Sequence, residues 1–388
     1  MTISNSAGKS EKITVPAGEV MPIFPQKLGF PDQSLDHSGI ENKAYRLTST
    51  RPIVAYQFNP LDNENVFSND ASLLLPSHTF DTEYFALGWR SHAEPLTPPY
   101  RGYVTVVASA PGATQVTVTP SGNVMAGPSF DAIAGGASRT IGLSQFQTLS
   151  LHAMLGTDIT GTKIVADKPV GVFVGHESAF IYQNELTCCS DHLEDQLFPA
   201  STWGKKYVIA RSKKRYNEPD MVRVIAQKPS TQVSVSSSTS TCGRLDAGKA
   251  CTFFIDGDVE IDADKPILVA HYLLSIASNG DPAIDYAVPV EQYRTSYTFL
   301  VPDKYDDNYV SLVAPAGGEV DLDGKDLTSE LDAIGSSGQW VGGRFEVDSN
   351  KPHRLSCPDT CSVEVYGYSL MVSYLYAGGL DLEQIVPK

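Results

Sequence analysis

The chain has 388 residues, 41% of them hydrophobic and 19% charged, with 31 glycines, 25 prolines and 18 tyrosines. That length suits two to four folded domains, and the turn-rich, tyrosine-rich make-up leans toward strands. A formal net charge of −16 at pH 7 argues against nucleic acid or an anionic membrane as partner, and no apolar run reaches the roughly 18 residues that a spanning helix needs.

Residues Met1 to Lys12 are rich in Ser, Asn, Gly and Lys and carry no signal-peptide core. The chain is therefore either cytosolic or a mature or excised fragment, and the cysteines described below favour the second. The stretch Ile13 to Phe58 reads as half of a repeating unit. It contains a basic-proline phrase, Leu47-Thr-Ser-Thr-Arg51-Pro52-Ile53-Val54-Ala55, which returns as Ile164 to Val172 around Asp167-Lys168-Pro169 and as Ile261 to Val269 around Asp264-Lys265-Pro266. A worn copy is Val347 to Pro352. Proline fixes φ and biases the preceding residue toward extended backbone, so the phrase predicts a turn leading into a strand.

After each of the first three copies comes an acid-containing loop, with Asp70, Asp191 and Asp285 as examples, then an apolar-Pro step. A tyrosine stands eight residues beyond each proline: Pro76 and Tyr84, Pro199 and Tyr207, Pro289 and Tyr297. An aromatic precedes each tyrosine by four residues, at Phe80, Trp203 and Tyr293. Alternating strands follow at Val104 to Ala108, Val222 to Ala226 and Val310 to Ala314, each with a proline-containing turn and a second strand; this is the hairpin pattern. The prediction is an all-β chain of about three tandem β-sandwich-like units with mutual packing. Residues 1–60 form the N-terminal half-unit, 61–180 unit 1, 181–275 unit 2 and 276–388 unit 3. A closed propeller-like or pseudo-three-fold ring is the alternative. A lone half-unit cannot bury its own face, so it must pack on a later unit or donate a strand to one. Short helical turns are expected only within Leu186 to Leu197 and Thr328 to Ile334. Asp32 to Asn42, Pro95 to Arg101 and Lys213 to Pro219 read as exposed loops.

Six cysteines fall in three close pairs, Cys188 with Cys189, Cys242 with Cys251, and Cys357 with Cys361. Local even pairing predicts disulfides and an oxidising compartment; no four-ligand zinc spacing occurs. The densest polar stretch is Cys188 to Leu197. Its Asp191, His192 and Glu194 are candidate binding or ligating residues, set against a bland reading as acids capping a short helix in a disulfide-pinned connector. Trp203 and His176, the latter in Gly175-His176-Glu177-Ser178, complete the candidate binding set; no catalytic or metal residues are assigned. Asp306, Asp307 and Asn308, and Asp321, Asp323 and Gly324, offer oxygen ligands in turns without the EF-hand spacing, so calcium is the one cofactor entertained. The run Arg211-Ser212-Lys213-Lys214-Arg215 is the sole basic cluster, a docking spot, a proteolytic site or a solvated loop. No P-loop, dinucleotide fingerprint or HExxH occurs.

The chain resembles the IgG-Fc-binding domain family through Ser68 to Pro76, Ile164 to Val170 with Gly175-His176, Cys188 to Glu194 with Pro199 and Trp203-Gly204, Gly280-Asp281-Pro282, and Val365 to Tyr368. The resemblance covers roughly Tyr45 to Leu382 and is most specific at Cys188-Cys189-Ser190-Asp191-His192. It implies a secreted or cell-surface, non-enzymatic binding or adhesion module for a protein or glycoprotein ligand, with immunoglobulin Fc and mucin-like glycoprotein as partners to test. The acidic charge and the lack of a spanning apolar run add the expectation of no nucleic acid partner and no direct membrane insertion. Two other readings stand beside it: a glycan-acting hydrolase using Asp191, Glu194 and His192, and a passive spacer of a surface protein.

Overall fold

The computed structural model describes residues 1–61, 68–93, 97–182, 188–236, 242–276 and 279–385. Among them there is no α-helix; the fold is all-β, with short 3-10 turns. The N-terminal part supplies β1 (Thr2–Asn5), β2 (Ser10–Lys12), β3 (Gly39–Glu41), β4 (Tyr45–Thr48), β5 (Tyr56–Phe58) and β6 (Ala71–Leu73). Next come β7 (Asp81–Phe85), β8 (Gly102–Ala108), β9 (Thr114–Thr119), β10 (Arg139–Leu143), β11 (Thr148–His152), the long β12 (Lys163–Ala179) and β13 (Asp191–Gln196). A second series is β14 (Lys206–Ile209), β15 (Asp220–Ala226), β16 (Thr231–Val235), β17 (Gly243–Leu245), β18 (Ala250–Ile255), β19 (Val259–Ala263), β20 (Ile267–Leu273) and β21 (Ala283–Tyr286). The last is β22 (Arg294–Val301), β23 (Asp307–Pro315), β24 (Asp321–Leu322), β25 (Lys325–Asp326), β26 (Asp332–Ile334), β27 (Trp340–Glu346), β28 (Lys351–Ser369) and β29 (Val372–Ala377).

The three series repeat one topology. In the second, one sheet runs β14-β19-β16-β17 and the other β18-β15-β20-β21. In the first, β12 serves both sheets: its early part pairs with β7 and β9, its later part with β8 and β13. β28 does the same in the third series with β22 and β24, then β23 and β29. The N-terminal β3 adds to the edge of β11. β13 and β21, which the sequence places at the starts of units 2 and 3, hydrogen-bond back to β12 and β20. Consecutive series are therefore interlocked.

The repeated phrases have identifiable physical jobs. At the bend of the long strand, β12 advances from Val165 to Val170 while β7 advances only from Glu83 to Asp81. β28 likewise advances from Ser356 to Cys361 against Ser296 to Arg294. Between β19 and β20 the same excursion separates Asp262, opposite Lys206, from Ile267, whose amide donates to Gly204 O. A buried tyrosine hydroxyl fills each bulge. Tyr84 donates to Val170 O at 2.8 Å, Tyr207 to Ile267 O at 2.6 Å, and Tyr297 to Cys361 O. Each hydroxyl also accepts from the amide three residues before it, at Asp81, Gly204 and Arg294. The excursion carries Asp167 and Asp264, which accept from the amides of Gln115 and Gln232, both at 2.8 Å. Lys168 and Lys265 cap the neighbouring hairpin turns at Pro111 O and Pro229 O.

This geometry corrects one assignment. Pro352 lies at the start of β28, not at its bend, so Val347 to Pro352 is not the fourth copy. The structural counterpart is Cys357 to Cys361, closed by its own disulfide. The expected helix at Leu186 to Leu197 is also replaced: Asp191–Gln196 is strand β13, and residues 186 and 187 lie outside the described residues. Thr328–Glu330 does form a 3-10 turn. Residues 95 and 96 of the expected loop at Pro95 to Arg101 also fall outside the described residues.

Four strands, β6, β13, β21 and β29, close the molecule. β13 packs beside β6 and β21, and β29 beside β21 and β6, in a closed cycle. No main-chain ladder joins them to one another. Their inward edges would leave amides bare, a state that costs on the order of 1–3 kcal/mol per buried group. Acidic side chains supply the acceptors instead, as the candidate-site geometry shows.

Candidate functional site

The candidate stretch sits on β13, which is held by its ladder to β12 on one side and faces the strand ring on the other. Side chains alternate along a strand, so Asp191 and Glu194, three residues apart, point to opposite sides. Asp191 is fully buried and accepts from Asn69 N at 2.7 Å and from His192 N at 2.6 Å. Its neighbours act alike: Asp70 accepts from Glu194 N and Ile284 N, both at 3.2 Å, and Asp195 from Ser72 Oγ at 2.9 Å and Tyr286 N at 3.0 Å. These acids stitch β6, β13 and β21 together. Burial, then the nearby charge of Asp281, pushes Asp191 well above the usual carboxylate range. Burial raises Asp195 and Asp281 to about 7. Asp191 is thus a buried edge acceptor, and its predicted place on a binding rim is corrected.

His192, whose side chain is 15% exposed, and the buried Glu194 form a polar cluster with residues that the sequence did not single out. His192 Nε2 lies 3.3 Å from Glu194 Oε2 and 3.3 Å from Tyr103 OH, with Asn59 Nδ2 at 3.4 Å. Gln57 Nε2 donates to both Glu194 oxygens, at 3.0 and 3.2 Å. Tyr103 stacks between His192 and His152, with ring centroids 6.2 and 5.8 Å away, and His152 meets Glu177 Oε1 at 3.3 Å. Gln57 and Asn59 are exposed on the cluster's outer side, and His192 and Tyr103 partly so. These side chains present donors, acceptors and aromatic edges to a polar partner. The sequence held no local signal for Gln57, Asn59 or Tyr103, because β5 and β8 reach β13 from more than 80 residues away.

His176 and Trp203 are not part of this surface. His176 is buried, donates from Nε2 to Arg90 O at 3.1 Å and accepts from Ser178 N at Nδ1. Burial, with His92 stacked 5.3 Å away, lowers it to about 3 and keeps it neutral. Trp203 is buried against Phe85 and donates to Phe198 O at 3.1 Å. Both are packing residues, because the turn after each apolar-Pro step and the strand β12 face the core.

The carboxylates proposed for hydrolysis do not face each other across a cleft: Asp191 is committed inward and Glu194 to Gln57, Asn59 and His192. In the turns considered for calcium, Asp307 accepts from Asn279 Nδ2 at 2.6 Å, Asp306 from Ser369 Oγ, and Asn308 from Tyr374 OH at 2.9 Å. Asp321 accepts from Gly324 N, and Asp323 from Arg354 N and His353 Nδ1. Among the described residues no group of three His, Cys, Asp or Glu is placed to hold a metal ion. The cysteines are joined as Cys188–Cys189, Cys242–Cys251 and Cys357–Cys361.

The family model described as IgGFc binding protein matches residues 70–367, from just before β6 through most of β28. The chain belongs to the IgGFc-binding family. It is 31% identical over 243 residues to the human protein named IgGFc-binding protein; the match takes in 60% of this chain and 4% of that protein. A solved anti-sigma factor domain-containing protein aligns over 80% of this chain and 92% of its own at 10% identity, but its TM-score of 0.13 carries no argument. Tyr103, His192 and Glu194 lie within the residues matched to the IgGFc-binding family, whereas Gln57 and Asn59 lie before them. Among the described residues no helix is long and apolar enough to cross a membrane.

Proposed function

We propose that this chain is an extracellular or cell-surface, non-enzymatic module that binds a protein or glycoprotein ligand, with immunoglobulin Fc and mucin-like glycoprotein as the first ligands to test. The observation that carries this reading is the family match across residues 70–367. The three local disulfides support an oxidising compartment. The rim of Gln57, Asn59, Tyr103 and His192 is the contact surface in this reading, since exposed polar side chains beside a partly exposed tyrosine and histidine on a rigid frame suit protein recognition. The full chain should give saturable binding to immobilised IgG Fc or to mucin glycoprotein by biolayer interferometry. Tyr103→Ala and His192→Ala should each weaken it about tenfold or more, as central contact residues do. Full affinity in both variants removes the rim from the interface, and silence toward Fc, mucin and a glycan panel overturns the reading.

A further inference from the structure

The basic run of the sequence is divided by the fold. Arg211 and Arg215 turn inward at its two ends. Arg211 donates to Ser212 O and Glu218 O and pairs with Asp220 at 3.4 Å. Arg215 donates to Leu274 O at 2.9 Å, pairs with Glu218 at 3.3 Å and stacks over Tyr368 at 4.8 Å. The main chain of Lys213 is clamped to β28, its amide donating to Tyr366 OH and its carbonyl accepting from Tyr368 OH. The loop is thereby fixed, and Lys213 and Lys214 stand exposed. Among the described residues no carboxylate pairs with either ammonium.

These lysines edge a recess of about 360 Å³ between the second and third series, lined by Arg211, Ser212, Lys213, Lys214, Asp256, Gly257, Asp258 and Arg344. That volume lies in the range of small-ligand sites. Four cations face two carboxylates, and two of the four are already answered: Arg344 pairs with Asp258, and Arg211 with Asp220. Lys213 and Lys214 are the uncommitted charges, and the exposed Asp256 lines the same recess. The lining carries no apolar or aromatic side chain, which argues against a base, a lipid or an apolar peptide. Cations beside an exposed carboxylate suit a ligand with one anionic group and several hydroxyl donors.

We propose that this recess binds an acidic sugar, its carboxylate or sulfate held by Lys213 and Lys214 and a ring hydroxyl donating to Asp256. The inference rests on the glycoprotein-ligand reading and names the part of the ligand recognised.

Titration calorimetry of the full chain with 3′-sialyllactose, 6-sulfolactose, lactose and inorganic sulfate tests it. One of the acidic sugars should bind at least about tenfold more tightly than lactose, with affinity falling as salt rises; which one binds tells carboxylate from sulfate. Lys213→Ala with Lys214→Ala, both exposed, should remove that preference while leaving the near-ultraviolet circular dichroism unchanged. Asp256→Ala should weaken the sugar yet strengthen inorganic sulfate, because it removes a negative charge and a hydroxyl acceptor together. Equal binding of lactose, an unaffected double variant, or a sugar that gains with sulfate in Asp256→Ala overturns the proposal. Mucin stripped of sialate and sulfate separates the two readings. Undiminished binding of it rejects the recess and keeps glycoprotein recognition, whereas acidic sugars that bind without any glycoprotein binding support the recess and reject the broader reading.

Discussion

Tyr84, Tyr207 and Tyr297 perform one task in three places, each filling a strand bulge with a hydroxyl that donates to a carbonyl and accepts an amide. Phenylalanine keeps the ring and strands both backbone groups, so each Tyr→Phe change should cost about 1–3 kcal/mol in chemical denaturation. Similar losses at Tyr84 and Tyr207 check the equivalence, and a loss under ~0.5 kcal/mol at either breaks it. The tyrosine was legible in the sequence because its spacing from proline is kept by a short turn and one strand. The role of Asp191 was not. Its partner Asn69 is 122 residues away, and an acid whose acceptor work is done across the molecule looks locally like a helix cap.

The bend of the long strand is where the elements differ. Asp167-Lys168-Pro169 and Asp264-Lys265-Pro266 anchor it through hairpin contacts, whereas the third series uses the Cys357–Cys361 bridge. The bridged Cys357 to Cys361 turn carries no Asp-Lys-Pro phrase, whereas Lys351-Pro352 keeps part of the phrase at a different place in the strand. The repeat, the hairpins and the all-β class were readable from alternation and spacing; the substitution of one turn device for another was not. Mass spectrometry of the unreduced chain should show three intrachain bridges within 188–189, 242–251 and 357–361, with a mass about 6 Da below the reduced form. Replacing both Cys357 and Cys361 by serine should cost about 2 kcal/mol, the value for closing so short a loop. Any free thiol among the six counts against the oxidising compartment.

At the scale of the molecule, buried ionisable groups link the units. His271 bridges Asp220 and Glu364, both at 2.9 Å. Burial alone would lower His271, but the charge of Glu364 and hydrogen bonds to both acids raise it to about 10; burial would raise Asp220, but His271 and Arg211 hold it at about 2. The His271 contribution is complete below its ordinary 6.5 and lost as pH rises through about 10, whereas that of Asp220 is complete above 3.8 and lost as pH falls through about 2. Both are intact between pH 4 and 6. Asp195 and Asp281 act the other way: with folded values near 7 against an ordinary 3.8, their contribution is full below 3.8 and declines as pH rises through about 7. The Tm should therefore fall by about 3 °C or more between pH 5 and pH 8, and Asp281→Asn should flatten that slope. A Tm that rises over this interval contradicts the burial of these acids. The strand ring has one more consequence, for synthesis. β29 leaves the ribosome long after β5, yet Tyr374 and Tyr376 on it cover Tyr56 and Phe58 of β5, with Tyr56 and Tyr376 only 4.6 Å apart. The aromatic face of β5 must therefore wait, open to water and to chaperones, until some 300 further residues have been translated and β29 arrives to shut the seam.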